Sequence, residues 1–258
     1  MNRAWRNGAF VAGDDPDLPS ITGSVGVFET ILVTGGEPRF VHEHAVRVVR
    51  AAQSLCLPEV PKPYVLAAAC LSLAADAPGR ARMRAMIDGA GPAVTIDAFG
   101  GYPAATYEDG VVVVVAERPG HPLGVGAGRK TMPYTPLIEA RAAAERRGAF
   151  DVLFTAGDGA LLEGSASNLF VLRDGTLTTP PLARDILPGI TRAEVIRAAA
   201  RLGITSEEAD LHLSDLEGAD EAFLTGSLME VVPIRAVGET ELPVGQIARM
   251  LRESVFGS

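Results

Sequence analysis

The segment between Glu117 and Arg129, RPGHPLGVGAG, constrains the fold more than any other part of the chain. It is rich in Gly and Pro and poor in bulky side chains, which is typical of a linker rather than of a helix or strand. We therefore predict two domains, over residues 1–117 and 130–258, joined by a linker at 118–129. The 258 residues are enough for each domain to bury its own core.

Both halves mix strand and helix patterns. In the first half, Asn7-Gly8 predicts a tight hairpin turn, and the apolar side chains of 42–55 recur at helical spacing. The second half alternates helices and strands and includes a predicted helix over Thr191–Leu202. No internal repeat is visible, so the pattern predicts two domains of the α/β or α+β class.

Charge and composition exclude several classes of function. The net charge is −9 with no basic cluster, which argues against nucleic-acid binding. No apolar run approaches the roughly 20 residues of a membrane span, and the N-terminal residues lack the apolar region of a signal peptide. Cys56 and Cys70 form no CxxC pair. We therefore expect no bound metal and two reduced, mostly buried thiols in a cytoplasmic protein.

Lysine is scarce in this chain, and this scarcity indicates a special role for Lys130. Of the 23 basic residues only Lys62 and Lys130 are lysines, so arginine serves wherever a plain positive charge is needed. Arginine cannot lose its proton to form an imine, whereas a lysine with a lowered pKa can. Lys62 lies between two prolines and looks like a solvated loop residue, which leaves Lys130 as the candidate covalent amine. An ordinary surface lysine is the alternative.

Glu163 is the candidate partner of that amine. It precedes Gly164-Ser165-Ala166-Ser167-Asn168, a turn rich in small polar residues. A carboxylate here could cap the turn, or it could hold a proton on the nitrogen of a heterocyclic cofactor. The ring would then withdraw electrons, as carbanion chemistry beside an imine requires.

Three features are candidate anion sites. Thr191 to Glu194 and Ser227 to Glu230 have the spacing of a helix capping box, and a helix start attracts phosphate through its free N–H groups. Arg47 lies about one helical turn beyond His44 and could add a full positive charge. Ordinary helix caps and a solvated helix face are the alternatives, and sequence spacing alone does not bring the three features together.

Six motifs together resemble the class IV aminotransferases, the fold-type IV group of pyridoxal-phosphate enzymes. This group includes branched-chain and D-amino-acid aminotransferases and aminodeoxychorismate lyase. The resemblance runs from about Trp5 to Ile234 in the order typical of the family. The motifs are GVFETILV (26–33), HAVR (44–47), KTMPY (130–134), EGSASNLF (163–170), LPGITR (187–192) and GSLMEVVPI (226–234).

The resemblance implies a two-domain fold, with a smaller N-terminal α/β domain and a larger C-terminal domain built on a barrel-like sheet. It implies that Lys130 forms an imine with pyridoxal 5′-phosphate and that Glu163 pairs with the pyridine nitrogen. The resemblance further implies a set of phosphate ligands and a tyrosine that contacts the cofactor ring, with a core or interface role as the alternative for the tyrosine. These residues are Arg47, Ile190, Thr191 and Ser227 for the phosphate and Tyr134 for the ring.

The substrate contacts are atypical for the family. Thr30 resembles a threonine that assists the lyase, which favours lyase chemistry. Asp88 stands where D-amino-acid aminotransferases and the lyase usually have arginine, and a carboxylate there would repel a substrate carboxylate. Arg82 or Arg84 could compensate, since strand alternation puts both on the same face as Asp88.

We therefore expect a transaminase that moves an amino group between an amino acid or amine and a 2-oxo acid. 4-Amino-4-deoxychorismate lyase, which releases pyruvate and 4-aminobenzoate, is the alternative within the family. A cofactor-binding protein without catalysis is the alternative outside it, although a retained Lys130 argues against this. The resemblance also implies a homodimer.

Overall fold

A computed structural model describes residues 3–23, 25–120 and 128–257. The strands are β1 Arg3–Arg6, β2 Ala9–Ala12, β3 Gly26–Thr34, β4 Glu37–Pro38, β5 Arg80–Asp88, β6 Gly91–Ala98, β7 Val111–Glu117, β8 Thr131–Met132, β9 Asp151–Thr155, β10 Leu161–Gly164, β11 Asn168–Arg173, β12 Thr176–Thr179, β13 Thr205–Glu208, β14 Glu221–Gly226, β15 Glu230–Val237 and β16 Thr240–Glu241. The helices are α1 Val41–Ser54, α2 Pro63–Ala74, α3 Ala104–Glu108, α4 Thr135–Glu145, α5 Ile190–Arg201, α6 Leu213–Leu216 and α7 Ile247–Phe256, with a 3₁₀ turn at Leu182–Arg184. No helix among these residues is both long and apolar enough to cross a membrane.

The chain forms two compact units, as the family resemblance implies. The first combines Met1–Gly101 with Arg129–Thr135, and the second combines Tyr102–Gly128 with Pro136–Ser258. This division differs from the predicted boundary at residue 117. Strand β7 belongs to the second unit because it pairs with β9 and β15, and β8 returns to the first unit because it pairs with β3. Of the predicted linker, residues 121–127 lie outside the described part of the chain.

The first unit is an antiparallel sheet in the order β2-β1-β6-β5-β3-β4, with β8 beside β3. Side chains alternate between the two faces of each strand. One face buries residues such as Val27, Ile31 and Met83 in a core with the apolar sides of α1 and α2. On β3 and β5, the opposite face carries Phe28 and Met86, which pack with Met132 and Tyr134.

The second unit contains the predicted barrel-like sheet. Strand β10 pairs with both β9 and β11, so β10, β9, β7, β15, β14 and β11 form a closed ring of six strands. Closure leaves no exposed edge on these strands. The ring closes where Glu163 pairs with Asn168. The candidate cofactor residue Glu163 is therefore held where the ring closes, next to a shift in register between β10 and β9.

Candidate active site

Lys130 is held at the end of the sheet of the first unit. Its carbonyl accepts a 3.0 Å hydrogen bond from the Phe28 amide, just before β8 pairs with β3. The amine lies 4.8 Å from the ring centroids of both Phe28 and Tyr134, and Nζ is 3.5 Å from Tyr134 Oη. The two rings meet edge to face at 4.9 Å, so they fix one another as well as the amine. Lys130 and Tyr134, both predicted from sequence, thus lie together.

Arg47 is bound to a carboxylate that sequence reasoning did not assign. Its Nε donates to Glu29 Oε1 at 2.7 Å and its Nη2 to Glu29 Oε2 at 2.6 Å. His44 Nδ1 lies 2.7 Å from the same Oε2. Burial opposes ionisation of Glu29, but the charge of Arg47 and the hydrogen bonds from His44 and Arg47 outweigh it and lower the pKa of Glu29 to about 2. The alternative of a solvated helix face at His44 and Arg47 is therefore wrong for His44, which is 1% exposed.

The contacts of Asp88 show which arginine compensates its charge. Its carboxylate accepts hydrogen bonds from Arg6 Nη2 at 3.3 Å and from the Ala90 amide at 2.9 Å. Arg6, rather than Arg82 or Arg84, therefore compensates its charge. Arg82 Nη2 donates to Asp97 at 3.1 Å instead. Asp88 closes its own hairpin and ties it to β1.

Arg84 is left facing the side of the sheet that carries Lys130. It is directly opposite Thr30 in the register of β5 and β3, and Phe28 lies two residues along from Thr30 on the same face. Among the described residues, the buried Nε atoms of Arg82 and Arg84 both lack a hydrogen-bond partner, but the Arg82 guanidinium also forms an ion pair with Asp97. Burial and the neighbouring Arg82 lower the pKa of the Arg84 guanidinium. An anion beside Arg84 would raise this pKa again, because an opposite charge stabilises the charged guanidinium.

In the second unit, Glu163 is buried and accepts hydrogen bonds from neutral donors. The Leu187 amide donates to Oε2 at 3.0 Å and Asn168 Nδ2 donates to the same oxygen at 3.4 Å. Asn168 also donates to the Leu187 carbonyl at 3.0 Å, so it joins β11 to the segment that precedes α5. Sequence reasoning did not assign Asn168 a role, because its partners are 5 and 19 residues away.

The turn that follows Glu163 is fastened by a buried aspartate. Asp151 Oδ1 accepts hydrogen bonds from the amide and hydroxyl of Ser165, and its Oδ2 accepts one from Ser167. Burial raises the pKa of Asp151 more than these hydrogen bonds lower it. At Gly164 a side chain would clash, since a Cβ would lie 2.2 Å from Ser167 Oγ and 2.7 Å from Asp151 Oδ2. The turn therefore has one tightly packed arrangement.

Two predicted helix starts are corrected. Helix α5 begins at Ile190 with Gly189 as its N-cap, so Thr191 lies inside the first turn and forms no capping box with Glu194. Ser227 begins the turn between strands β14 and β15 and does not begin a helix. The spacing misled because short strand-to-strand turns use the same small polar residues as caps. The amides of Ile190 and Thr191 still point out of the first turn of a helix, as anion binding requires.

Asn168 brings the candidate residues of the second unit together. It pairs with Glu163 on β10 and with Thr225 on β14, two residues before Ser227. A Cβ on Gly189 would lie 2.0 Å from the side-chain oxygen of Asn168, so the start of α5 packs directly on Asn168. Glu163, the N-cap Gly189 of α5 and Thr225 near the end of β14 thus all adjoin one asparagine.

The side chains fit pyridoxal phosphate by their chemistry. An amine between two aromatic rings suits its aldehyde, and a buried carboxylate with neutral donors suits a protonated ring nitrogen. A helix N-terminus, two hydroxyl side chains and an arginine suit its phosphate.

Comparisons with known proteins agree with this chemistry. Residues 26–237 match the family described as amino-transferase class IV. A relative from Methanocaldococcus jannaschii, named as a putative branched-chain-amino-acid aminotransferase, is 29% identical over 97% of this chain and 94% of its own length. The crystal structure of the Escherichia coli branched-chain amino acid aminotransferase has a TM-score of 0.89 at 25% identity and covers 99% of this chain and 94% of that one. A branched-chain aminotransferase from Thermoproteus uzoniensis, solved with norvaline, has a TM-score of 0.86 at 27% identity and covers 99% and 95%.

These relatives are named as transaminases, which favours transamination over the lyase reaction. The fold, with its closed six-stranded ring, is that of fold-type IV aminotransferases. This chain belongs to the class IV aminotransferase family, and its match to transaminases of that family supports pyridoxal-phosphate-dependent transfer of an amino group from an amino acid to a 2-oxo acid.

Proposed function

We propose that the chain transaminates aliphatic amino acids, with Lys130 as the catalytic amine. The observation that carries this proposal is the Lys130 amine held 4.8 Å from both the Phe28 and Tyr134 rings. The names of the relatives and the norvaline complex support aliphatic substrates. The apolar side chains of Phe28 and Met86 on the same face of the sheet fit such a substrate.

In this proposal the cofactor binds to the residues that the family resemblance implies. Glu163 holds the proton on the ring nitrogen, and Tyr134 contacts the ring. The phosphate binds to Arg47, to the Ile190 and Thr191 amides, to the Thr191 hydroxyl and to Ser227. When bound, the cofactor supplies an electron-withdrawing ring conjugated to the substrate nitrogen. Lys130 Nζ would take the proton from the substrate Cα and pass it to the cofactor carbon C4′, and in the second half-reaction it would move a proton from C4′ to Cα of the amino-acid product.

Arg84 is the proposed ligand of the substrate carboxylate. Its support is the buried Nε without a hydrogen-bond partner among the described residues, on the sheet face that also carries Phe28 beside the amine. Thr30, directly opposite Arg84, is half-buried and could donate to the same carboxylate through its hydroxyl. This assignment gives Thr30 a role in substrate binding rather than in lyase chemistry.

The test of function is a substrate panel with the full-length protein and added pyridoxal phosphate. Leucine, isoleucine, valine and norvaline serve as donors and 2-oxoglutarate as acceptor, with lysine and aspartate as comparison donors. We expect the 2-oxo acid of each aliphatic donor to accumulate with glutamate. Formation of pyruvate and 4-aminobenzoate from aminodeoxychorismate, without any transfer from the panel, would refute the proposal.

The carboxylate assignment has its own matched pair of variants. Arg84→Gln removes the guanidinium, and Arg82→Gln removes the next arginine on the same face. A charged hydrogen bond to a carboxylate is worth enough that we expect KM for the donor to rise roughly 10- to 100-fold in Arg84→Gln. KM should change by less than about threefold in Arg82→Gln, because Asp97 already binds that side chain. Equal effects in both variants would contradict the assignment.

A homodimer and a cytoplasmic location complete the proposal. The dimer is supported by the family resemblance, and light scattering of the purified protein tests it: a mass of one chain would refute it. The cytoplasmic location is supported by the free thiols of Cys56 and Cys70. Cys70 is buried as predicted, whereas Cys56 is exposed.

A further inference from the structure

Glu29, His44 and Arg47 form a buried cluster. Of these three residues, only Arg47 has a role in the function proposed above. Glu29 lies on β3 with its side chain toward α1, on the face that otherwise carries Val27 and Ile31. Glu29 and His44 are each 1% exposed. The side chain of Arg47, by contrast, is 18% exposed. The cluster thus begins in the core and reaches the surface only at the arginine.

The protonation state of the cluster follows from its contacts. An ionised carboxylate can only accept hydrogen bonds, so His44 Nδ1 carries the proton in the 2.7 Å contact with Glu29. Burial, together with the nearby charges of Arg47 and Lys130, lowers the pKa of His44 more than Glu29 raises it. His44 is therefore neutral, and Glu29 carries a single negative charge shared between a neutral and a cationic donor.

The geometry fixes the orientation of Arg47. Its Nε and Nη2 bind the two oxygens of one carboxylate, which defines the plane of the guanidinium, and an arginine side chain is otherwise highly flexible. His44 holds Glu29 Oε2 from the other side, one helical turn before Arg47. Such a cluster is a costly way to stabilise a core, because apolar side chains of similar volume do this at least as well. The free-energy cost of burying these groups is explained if the protein needs the Arg47 guanidinium in one fixed orientation.

We propose that Glu29 and His44 are positioning residues that hold Arg47 in the orientation required to bind the cofactor phosphate. This inference rests on the proposed function, in which Arg47 is a phosphate ligand. Neither Glu29 nor His44 contacts the phosphate in this account; both act through the guanidinium. The effect of changing either residue should therefore depend on whether the ligand carries a phosphate.

The test compares two ligands that differ only in that group. The dissociation constants of pyridoxal phosphate and of pyridoxal are measured by absorbance titration of the full-length apo-protein. The constant of pyridoxal divided by that of pyridoxal phosphate is the ratio that reports the contribution of the phosphate. In Glu29→Gln the amide NH₂ meets an arginine N–H, donor against donor, so the guanidinium loses its fixed orientation. We expect pyridoxal phosphate to bind roughly 10- to 100-fold more weakly, while pyridoxal changes by less than about threefold.

Two further variants keep the test decisive. His44→Phe keeps an aromatic ring and removes the hydrogen bond to Glu29; it should lower the ratio by a smaller factor, and it serves if Glu29→Gln does not fold. In an Arg47→Met background, Glu29→Gln should leave the ratio unchanged, because the residue through which Glu29 acts is gone. Glu221→Gln is the matched control. It neutralises another buried carboxylate, one bound to backbone amides, and should leave the ratio at the wild-type value.

The outcomes separate this inference from the proposed function. If Arg47→Met lowers the ratio but Glu29→Gln and His44→Phe do not, the positioning role is refuted and the phosphate role of Arg47 stands. Tighter binding of pyridoxal phosphate to Glu29→Gln would also refute it, because Glu29 would then only neutralise the arginine. If Arg47→Met leaves the ratio unchanged, the phosphate assignment itself fails.

Discussion

The stability of this protein in acid should depend strongly on Glu29. Its pKa is lowered from 4.5 to about 2 in the fold, where it binds Arg47 and His44. A carboxylate with a lowered pKa stabilises the fold fully above its unfolded pKa, and this stabilisation is lost as the pH falls through the folded pKa. A shift of this size corresponds to a contribution on the order of 3 kcal/mol above about pH 5, which disappears toward pH 2.

Urea denaturation of the apo-protein at several pH values between 7 and 3 measures this contribution. The free energy of unfolding of wild type should exceed that of Glu29→Gln most at pH 7, and the difference should shrink steadily below about pH 4.5. A difference that stays constant down to pH 3 would show that Glu29 is not an ionised, stabilised carboxylate in the fold. The reasoning about the whole cluster would then fail.

Three further predictions concern the second unit. Asp151→Asn should show the opposite trend: burial raises the pKa of Asp151, so wild type should lose stability relative to the variant as the pH rises above about 4 in urea titrations. Gly189→Ala places a Cβ 2.0 Å from Asn168 Oδ1, which should lower the melting temperature and weaken cofactor binding; unchanged binding would contradict the packing. Glu221→Ala leaves two amides at the start of α7 without their carboxylate and should cost about 1–2 kcal/mol in urea, with unchanged transaminase activity in the holoenzyme.

Local chemistry made parts of the fold predictable. The turn at Asn7-Gly8 joins β1 and β2 as expected, because the hairpin needs only two residues that accept positive φ. The α5 helix was predicted to within one residue at each end from the pattern of its own sequence. Lys130 and Tyr134 lie together because they are four residues apart on one segment.

Contacts between distant residues could not be predicted in this way. Sequence spacing gave no sign that Arg6 would bind Asp88, since 82 residues separate them and the pairing of β1 with β6 is needed first. Likewise, Glu29 meets Arg47 only after α1 packs on β3. The capping-box pattern at Ser227 is compatible with a tight turn between strands, and only the β14–β15 pairing decides between the two.

The central claim is that Lys130 is the amine that binds the cofactor covalently, and the scarcity of lysine makes its test direct. The full-length protein is incubated with pyridoxal phosphate, reduced with borohydride, digested and examined by mass spectrometry. Because the chain has only two lysines, Lys62 serves as an internal control in the same digest. The account predicts that the reduced cofactor is attached to the peptide containing Lys130 and not to the one containing Lys62. Equal labelling of both peptides, or labelling of Lys62 alone, would contradict it.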